Sequence, residues 1–119
     1  PNTTRITVHR GKQQAVVTGS SLGAGRILIT EIDGFGVEVT GALPALVCVA
    51  QDVPGIVATV TSALARSGAN IATMRVSRRQ KGGDAIHIYE LDGPPSAETL
   101  STVGAIPAIR MLRSIPRIA

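Results

Sequence analysis

The apolar residues of this chain change their period at Gly41-Ala42-Leu43-Pro44, and that change limits what the chain can fold into. Before it, every periodic segment is strand-like. Ile6 and Val8 alternate with Arg5, Thr7 and His9, and a Gly11-Lys12-Gln13 turn leads to Ala15-Val16-Val17-Thr18. The stretch Gly19-Ser20-Ser21-Leu22-Gly23-Ala24-Gly25 reads as a flexible connection, after which residues 26–32 resume the alternation. Asp33-Gly34 is a two-residue turn signal, with residues 35–40 as its hairpin partner. So few strands, with no helix to cover them, make a poor domain alone. Residues 1–41 are therefore expected to be an all-β partial domain.

After Pro44, strand and helix periods alternate. Residues 46–50 form a continuous apolar run, and Asp52 is placed to cap a helix with Pro54 near its first position. Ile56, Val57, Val60 and Leu64 recur at helical spacing until Gly68 stops them. Residues 70–77 make a strand, Lys81-Gly82-Gly83-Asp84 a turn, and residues 85–91 the returning strand. Gly93-Pro94-Pro95 breaks the chain, and Ser96 caps a second helix with Glu98 in its first turn and Leu100, Val103 and Ile106 inside. Residues 109–115 close the series. The order βαββαβ is the split-βαβ, ferredoxin-like arrangement, so the fold class is α+β, with residues 42–119 as the second domain. Two helices cover one face of four strands, which leaves the other face, or an edge, for a partner or ligand.

Composition narrows the function. Phe35 and Tyr89 are the only aromatic residues, so the net charge of +4 comes with no stacking platform for bases and no basic recognition helix. Nucleic-acid binding is therefore not expected. No stretch is long enough to span a bilayer and the first residues are not a signal peptide, so a soluble, cytoplasmic protein is expected, with no membrane partner. Since it does not begin with Met, the chain is read as a fragment. Cys48, the single cysteine, lies in an apolar run and reads as a buried, inert thiol. His9 and His87 read as surface or sheet residues. There are no paired carboxylates, no nucleophile with a base and no metal cluster, so no catalytic residue and no metal ligand is assigned.

Two segments could carry binding chemistry. At Gln51-Asp52-Val53-Pro54-Gly55 a strand end meets a helix N-terminus, where backbone N–H groups are unpaired and Gly55 admits close approach. Asp52 and Asn70 could take the amino and polar ends of a small molecule there, or be no more than a cap and a turn residue. In the second segment, the N–H groups of Ser20, Ser21, Gly23 and Gly25 could cradle an anion, with Arg26 or Arg5 adding charge. No P-loop lysine accompanies them, so a nucleotide is not expected. Arg75, Arg78, Arg79 and Lys81 form a basic hairpin arm, either solvated or docked on an acidic surface.

The run Asp52-Val53-Pro54-Gly55-Ile56-Val57-Ala58, then Ala69-Asn70-Ile71-Ala72-Thr73-Met74-Arg75-Val76-Ser77-Arg78 and Gly82-Gly83-Asp84-Ala85, resembles an ACT domain. That family comprises regulatory modules that bind amino acids at interfaces between paired domains. The resemblance implies a ligand site at Asp52, Val53, Gly55, Asn70 and Ile71, a small amino acid such as L-serine as ligand, and a homodimer through the sheet edges. Serine binders of the family often carry a His two residues before the first of these positions, where Ala50 stands here.

The segment Gly19 to Gly25, then Arg26-Ile27 and Thr30-Glu31-Ile32-Asp33-Gly34-Phe35, is similar to the β chain of iron–sulfur L-serine dehydratases. By that resemblance residues 1–41 are the second half of an allosteric substrate-binding-type domain. The resemblance also implies a partner catalytic α chain that carries the 4Fe-4S cluster, no cofactor in this fragment, and a need for potassium. The regulatory end of a phosphoglycerate dehydrogenase and a purely structural dimerisation module are the competing readings.

Overall fold

The structure is a computed structural model that describes residues 3–10, 13–23, 26–32, 34–78 and 82–117. It divides into two compact units, Pro1–Ala42 with Arg117–Ala119, and Leu43–Pro116.

The first unit is an antiparallel meander of β1 (Thr3–Arg10), β2 (Gln13–Gly23), β3 (Arg26–Ile32) and β4 (Phe35–Val39), in that spatial order. Ile32 pairs with Phe35, which leaves a two-residue connection whose Gly34 has φ 84°, as a tight hairpin requires; Asp33 lies outside the described residues. Phe35, Val37 and Val39 are buried while Gly36 and Glu38 are exposed, the period of a one-sided strand. The glycine–serine stretch departs from expectation. Gly19 to Gly23 do not form a loop but continue β2, and Gly19, Ser20, Ser21 and Gly23 pair with Ile29, Leu28, Ile27 and Arg26 of β3. Gly disfavours strands locally, but pairing with β3, joined at Gly19 and Ser20 by pairing with β1, outweighs that preference, with bulges at Thr18/Gly19 and Ser21/Gly23.

The second unit runs β5 (Ala45–Gln51), α1 (Ile56–Arg66), β6 (Ile71–Arg78), β7 (Asp84–Leu91), α2 (Ala97–Gly104) and β8 (Ile109–Ile115). Its sheet order is β6-β7-β5-β8 with every neighbouring pair antiparallel, the ferredoxin-like arrangement. β7 therefore separates the parallel strands β5 and β6.

One face of this sheet carries Leu46, Cys48, Ala50, Tyr89 and Leu91, which form a core with Ile56, Val60, Ala63 and Leu64 of α1 and Val103 of α2. Fully burying a side chain such as Leu64 contributes about 1.5–3 kcal/mol. The other face, or an edge, was expected to be open. The edge is: in β6, residues 72 to 76 are exposed, with Met74 and Val76 the exposed large hydrophobics. On the side away from the helices, Val47, Val49, Ile86 and Ile88 of the two inner strands are buried.

The helix ends follow from backbone preferences. The N-cap of α1 is Gly55 in the left-handed region, φ 83°, and not Asp52 as expected. A residue three positions earlier is outside the reach of a capping side chain. At the other end Gly68, φ 83°, donates to Ala65 O while Ala69 donates to Leu64 O, the paired bonds of a Schellman motif. Ser96 caps α2 as expected, its Oγ accepting from the Thr99 N–H at 3.1 Å.

Candidate functional site

The expected ligand residues fall at two separate ends of the ACT-like sheet. At one end β5 stops at Gln51, level with Asp84 of β7 and near Arg78, the last residue of β6. The Asp52 N–H donates to Gly83 O at 2.8 Å, which ties the β5–α1 loop to the β6–β7 hairpin. The Asp52 carboxylate accepts from Arg78 Nη1 at 3.2 Å and from the Gly82 N–H at 3.3 Å, both on Oδ2. The Arg78 guanidinium, and then the Gly82 N–H, hold this carboxyl below its ordinary range. Val53 packs against the core, while Pro54 and Gly55 are exposed; a Cβ built on Gly55 meets no atom within 4 Å.

Asn70 lies at the other end. Its Nδ2 donates to Asp92 Oδ2 at 2.6 Å and its carbonyl accepts from the Asp92 N–H at 3.2 Å. Ile71, level with Leu91, is half-buried against the core. Beside Asn70 is a pocket of about 210 Å³ whose lining includes Ser67, Asp92, Ser96 and Thr99. Thr99 Oγ1 donates to Ser67 Oγ at 2.9 Å and lies 3.0 Å from Ser96 Oγ, so these hydroxyls form one chain between the helices. The span from Asp84 to Leu91 along β7 is seven steps of about 3.3 Å, so Asp52 and Asn70 stand roughly 23 Å apart in one copy. A single small molecule cannot touch both within one chain.

Among the possible anion-loop residues, Ser20, Ser21 and Gly23 lie in β2 opposite β3, where their backbone is part of a ladder; Gly25 lies outside the described residues. Arg75 and Arg78 sit on exposed β6, and Arg79 and Lys81 are likewise outside. His9 belongs to β1.

One cluster was not anticipated. His87 is fully buried, its Nδ1 is 2.8 Å from the Tyr89 hydroxyl, and its Nε2 is buried with no hydrogen-bond partner among the described residues. Burial lowers the His87 pKa, partly offset by the charge of Asp52, and raises those of Tyr89 and of Cys48, the latter to about 12. Cys48 pairs across the ladder with His87. The signal was present in the sequence, since residues two apart in a strand share a face and place His87 and Tyr89 together. Among the described residues no three His, Cys, Asp or Glu gather to hold a metal, and no helix is long and apolar enough to cross a membrane.

Comparison with known families matches residues 45–108 to the ACT domain, over more than half of the chain and from β5 through α2. The chain belongs to the ACT-domain family. Beyond this ACT domain, the chain is 34% identical over 115 residues, 97% of its length, to a probable L-serine dehydratase β chain of Bacillus subtilis, of which it spans 52%. It is also 37% identical over 93 residues to a D-3-phosphoglycerate dehydrogenase of Synechocystis, covering 78% of this chain and 17% of that one. A chloroplastic D-3-phosphoglycerate dehydrogenase of Arabidopsis thaliana is 36% identical over 81 residues, 68% of this chain and 14% of the relative. The chain thus spans about half or less of these relatives.

Proposed function

We propose that this ACT domain binds a small amino acid, such as L-serine, between two copies paired along β6, and serves as a regulatory and assembly module of an L-serine dehydratase. The observation that carries this reading is the placement of Asp52 and Asn70 at opposite ends of an exposed edge strand. Antiparallel pairing of two β6 strands about their midpoint sets Ile71 of one copy beside Arg78 of the other. Each end of the joint sheet then carries Asp52, Val53 and Gly55 from one copy and Asn70 and Ile71 from its partner. Two equivalent half-and-half sites result, and ligand binding is linked to pairing.

The likeness to a dehydratase β chain over 97% of this chain supports the parent enzyme. In this reading the deamination of L-serine to pyruvate and ammonia, with its 4Fe-4S cluster, belongs to a separate α chain in the cytoplasm. Potassium is a second candidate ligand. Calorimetric titration of the chain with L-serine, with and without potassium, tests the reading alongside sedimentation. Heat on titration and a dimer strengthened by ligand support it, whereas a folded monomer that takes up neither is evidence against it.

The 37% identity to a phosphoglycerate dehydrogenase favours a second reading, the regulatory end of such an enzyme. A dinucleotide-binding fingerprint encoded upstream would support that, and a neighbouring cysteine-bearing α chain the first.

A further inference from the structure

The contact between Asp52 and Arg78 does more than fasten the loop to the hairpin. The backbone bond from the Asp52 N–H to Gly83 O, at 2.8 Å, already makes that fastening without either side chain. The side-chain contact is long for a charge-assisted bond, 3.2 Å, where the Arg110–Asp84 pair has 2.6 Å. Both members reach solvent, with 56% of the Arg78 side chain and 25% of that of Asp52 exposed, and pairs of this kind are weak. Both bonds to the carboxylate converge on Oδ2, so Oδ1 has no partner among the described residues. Arg78 and the Gly82 N–H thus form a small anion seat, occupied by the protein's own carboxylate.

Building on the amino-acid site proposed above, we propose that Arg78 sets its specificity: a zwitterionic α-amino acid opens the Asp52–Arg78 pair, its carboxylate taking Arg78 and the Gly82 N–H while its ammonium takes Asp52. Neither charge is left unpaired during the exchange, because one ion pair becomes two. A ligand with a single charge releases one partner without replacing it, so amines and simple carboxylates are rejected by the same two residues. Arg supplies a fixed fork for a carboxylate that Lys does not, which makes the conservative exchange informative.

The test titrates the whole chain and its R78Q and R78K variants with L-serine, glycine and L-alanine as zwitterions. Ethanolamine serves as the ligand lacking a carboxylate and 3-hydroxypropionate as the one lacking an ammonium. Circular dichroism confirms that each variant is folded. The expected result is binding of at least one zwitterion on the order of tenfold more tightly than either singly charged analogue, loss of that preference in R78Q and an intermediate value in R78K. Undiminished zwitterion binding and preference in R78Q would overturn the role of Arg78 and leave the amino-acid site standing. Failure of the unmodified chain to bind any of the three zwitterions would overturn the site and the role of Arg78 together.

Discussion

His87 Nδ1 and the Tyr89 hydroxyl lie 2.8 Å apart on the helix-facing side of β7, and the second ring nitrogen of His87 is buried with no partner among the described residues. Such a histidine is stable only while neutral. Its pKa is lowered in the folded chain by burial, so below the ordinary value of 6.5 the unfolded chain binds the proton and the folded one does not. Stability is thus full above pH 6.5 and is lost as pH falls below it toward the folded value. Melting temperature is expected to drop between pH 7.5 and 5, and His87→Leu to remove that slope whatever its effect at pH 7.5. Asp52, lowered by Arg78, loses its contribution only below its ordinary 3.8, outside this window. An unchanged slope in the variant would assign the pH dependence elsewhere.

Cys48 is fully buried and its thiol is pushed up to about 12. At neutral pH its thiolate fraction is on the order of a thousandth of that of an ordinary cysteine. A thiol reagent is expected to leave the native chain unlabelled over the time in which it labels the chain completely in denaturant. Rapid native labelling would mean that the sheet opens.

The left-handed residue at the end of α1 gives a backbone test. At Gly68 a Cβ would meet no atom within 4 Å, so only the φ of 83° resists a side chain. Gly68→Ala is expected to cost about 1–2 kcal/mol, read in denaturant melts. Gly68→Asn should cost less, because Asn tolerates this region.

Loss of the cap on α2 is a second local test. Ser96→Ala removes the acceptor for the Thr99 N–H and one link in the hydroxyl chain to Ser67. An expected loss of about 1 kcal/mol follows from capping alone. A larger loss would mean that the chain between the helices adds to it.

If two copies pair through β6, a charge on that edge should separate them. Val76 is 41% exposed on the edge strand, so Val76→Lys leaves the core intact. The dimer is expected to weaken on the order of tenfold or more in sedimentation, with unchanged circular dichroism.

Much of the second unit is legible in the sequence because several local rules agree there. Residues 109–115 and 85–91 are short apolar-rich runs between breakers, and Ser96 precedes an amphipathic run. The failures come where a local preference meets a longer-range constraint. Gly19 to Gly23 have loop composition, yet pairing with β3, and with β1 at Gly19 and Ser20, holds them in β2. Asp52 is a favoured cap residue, but the helix begins only at Ile56, and Gly55, which adopts its φ of 83° without strain, takes the cap position. The burial of His87 depends on β7 being an inner strand, which is set by strand order and not by neighbouring residues. The separation of Asp52 from Asn70 was in principle available from sequence, since a helix between two parallel strands returns the chain to the end where it began.

The insertion of β7 between β5 and β6 also bears on the birth of this unit at the ribosome. β5 is made first, yet both of its neighbours, β7 and β8, are made last. Until residue 115 has emerged, Leu46-Val47-Cys48-Val49 lacks at least one of its two flanking strands. The nascent chain therefore carries a sticky apolar strand through most of the synthesis of this unit, whose closure waits on the seven residues of β8.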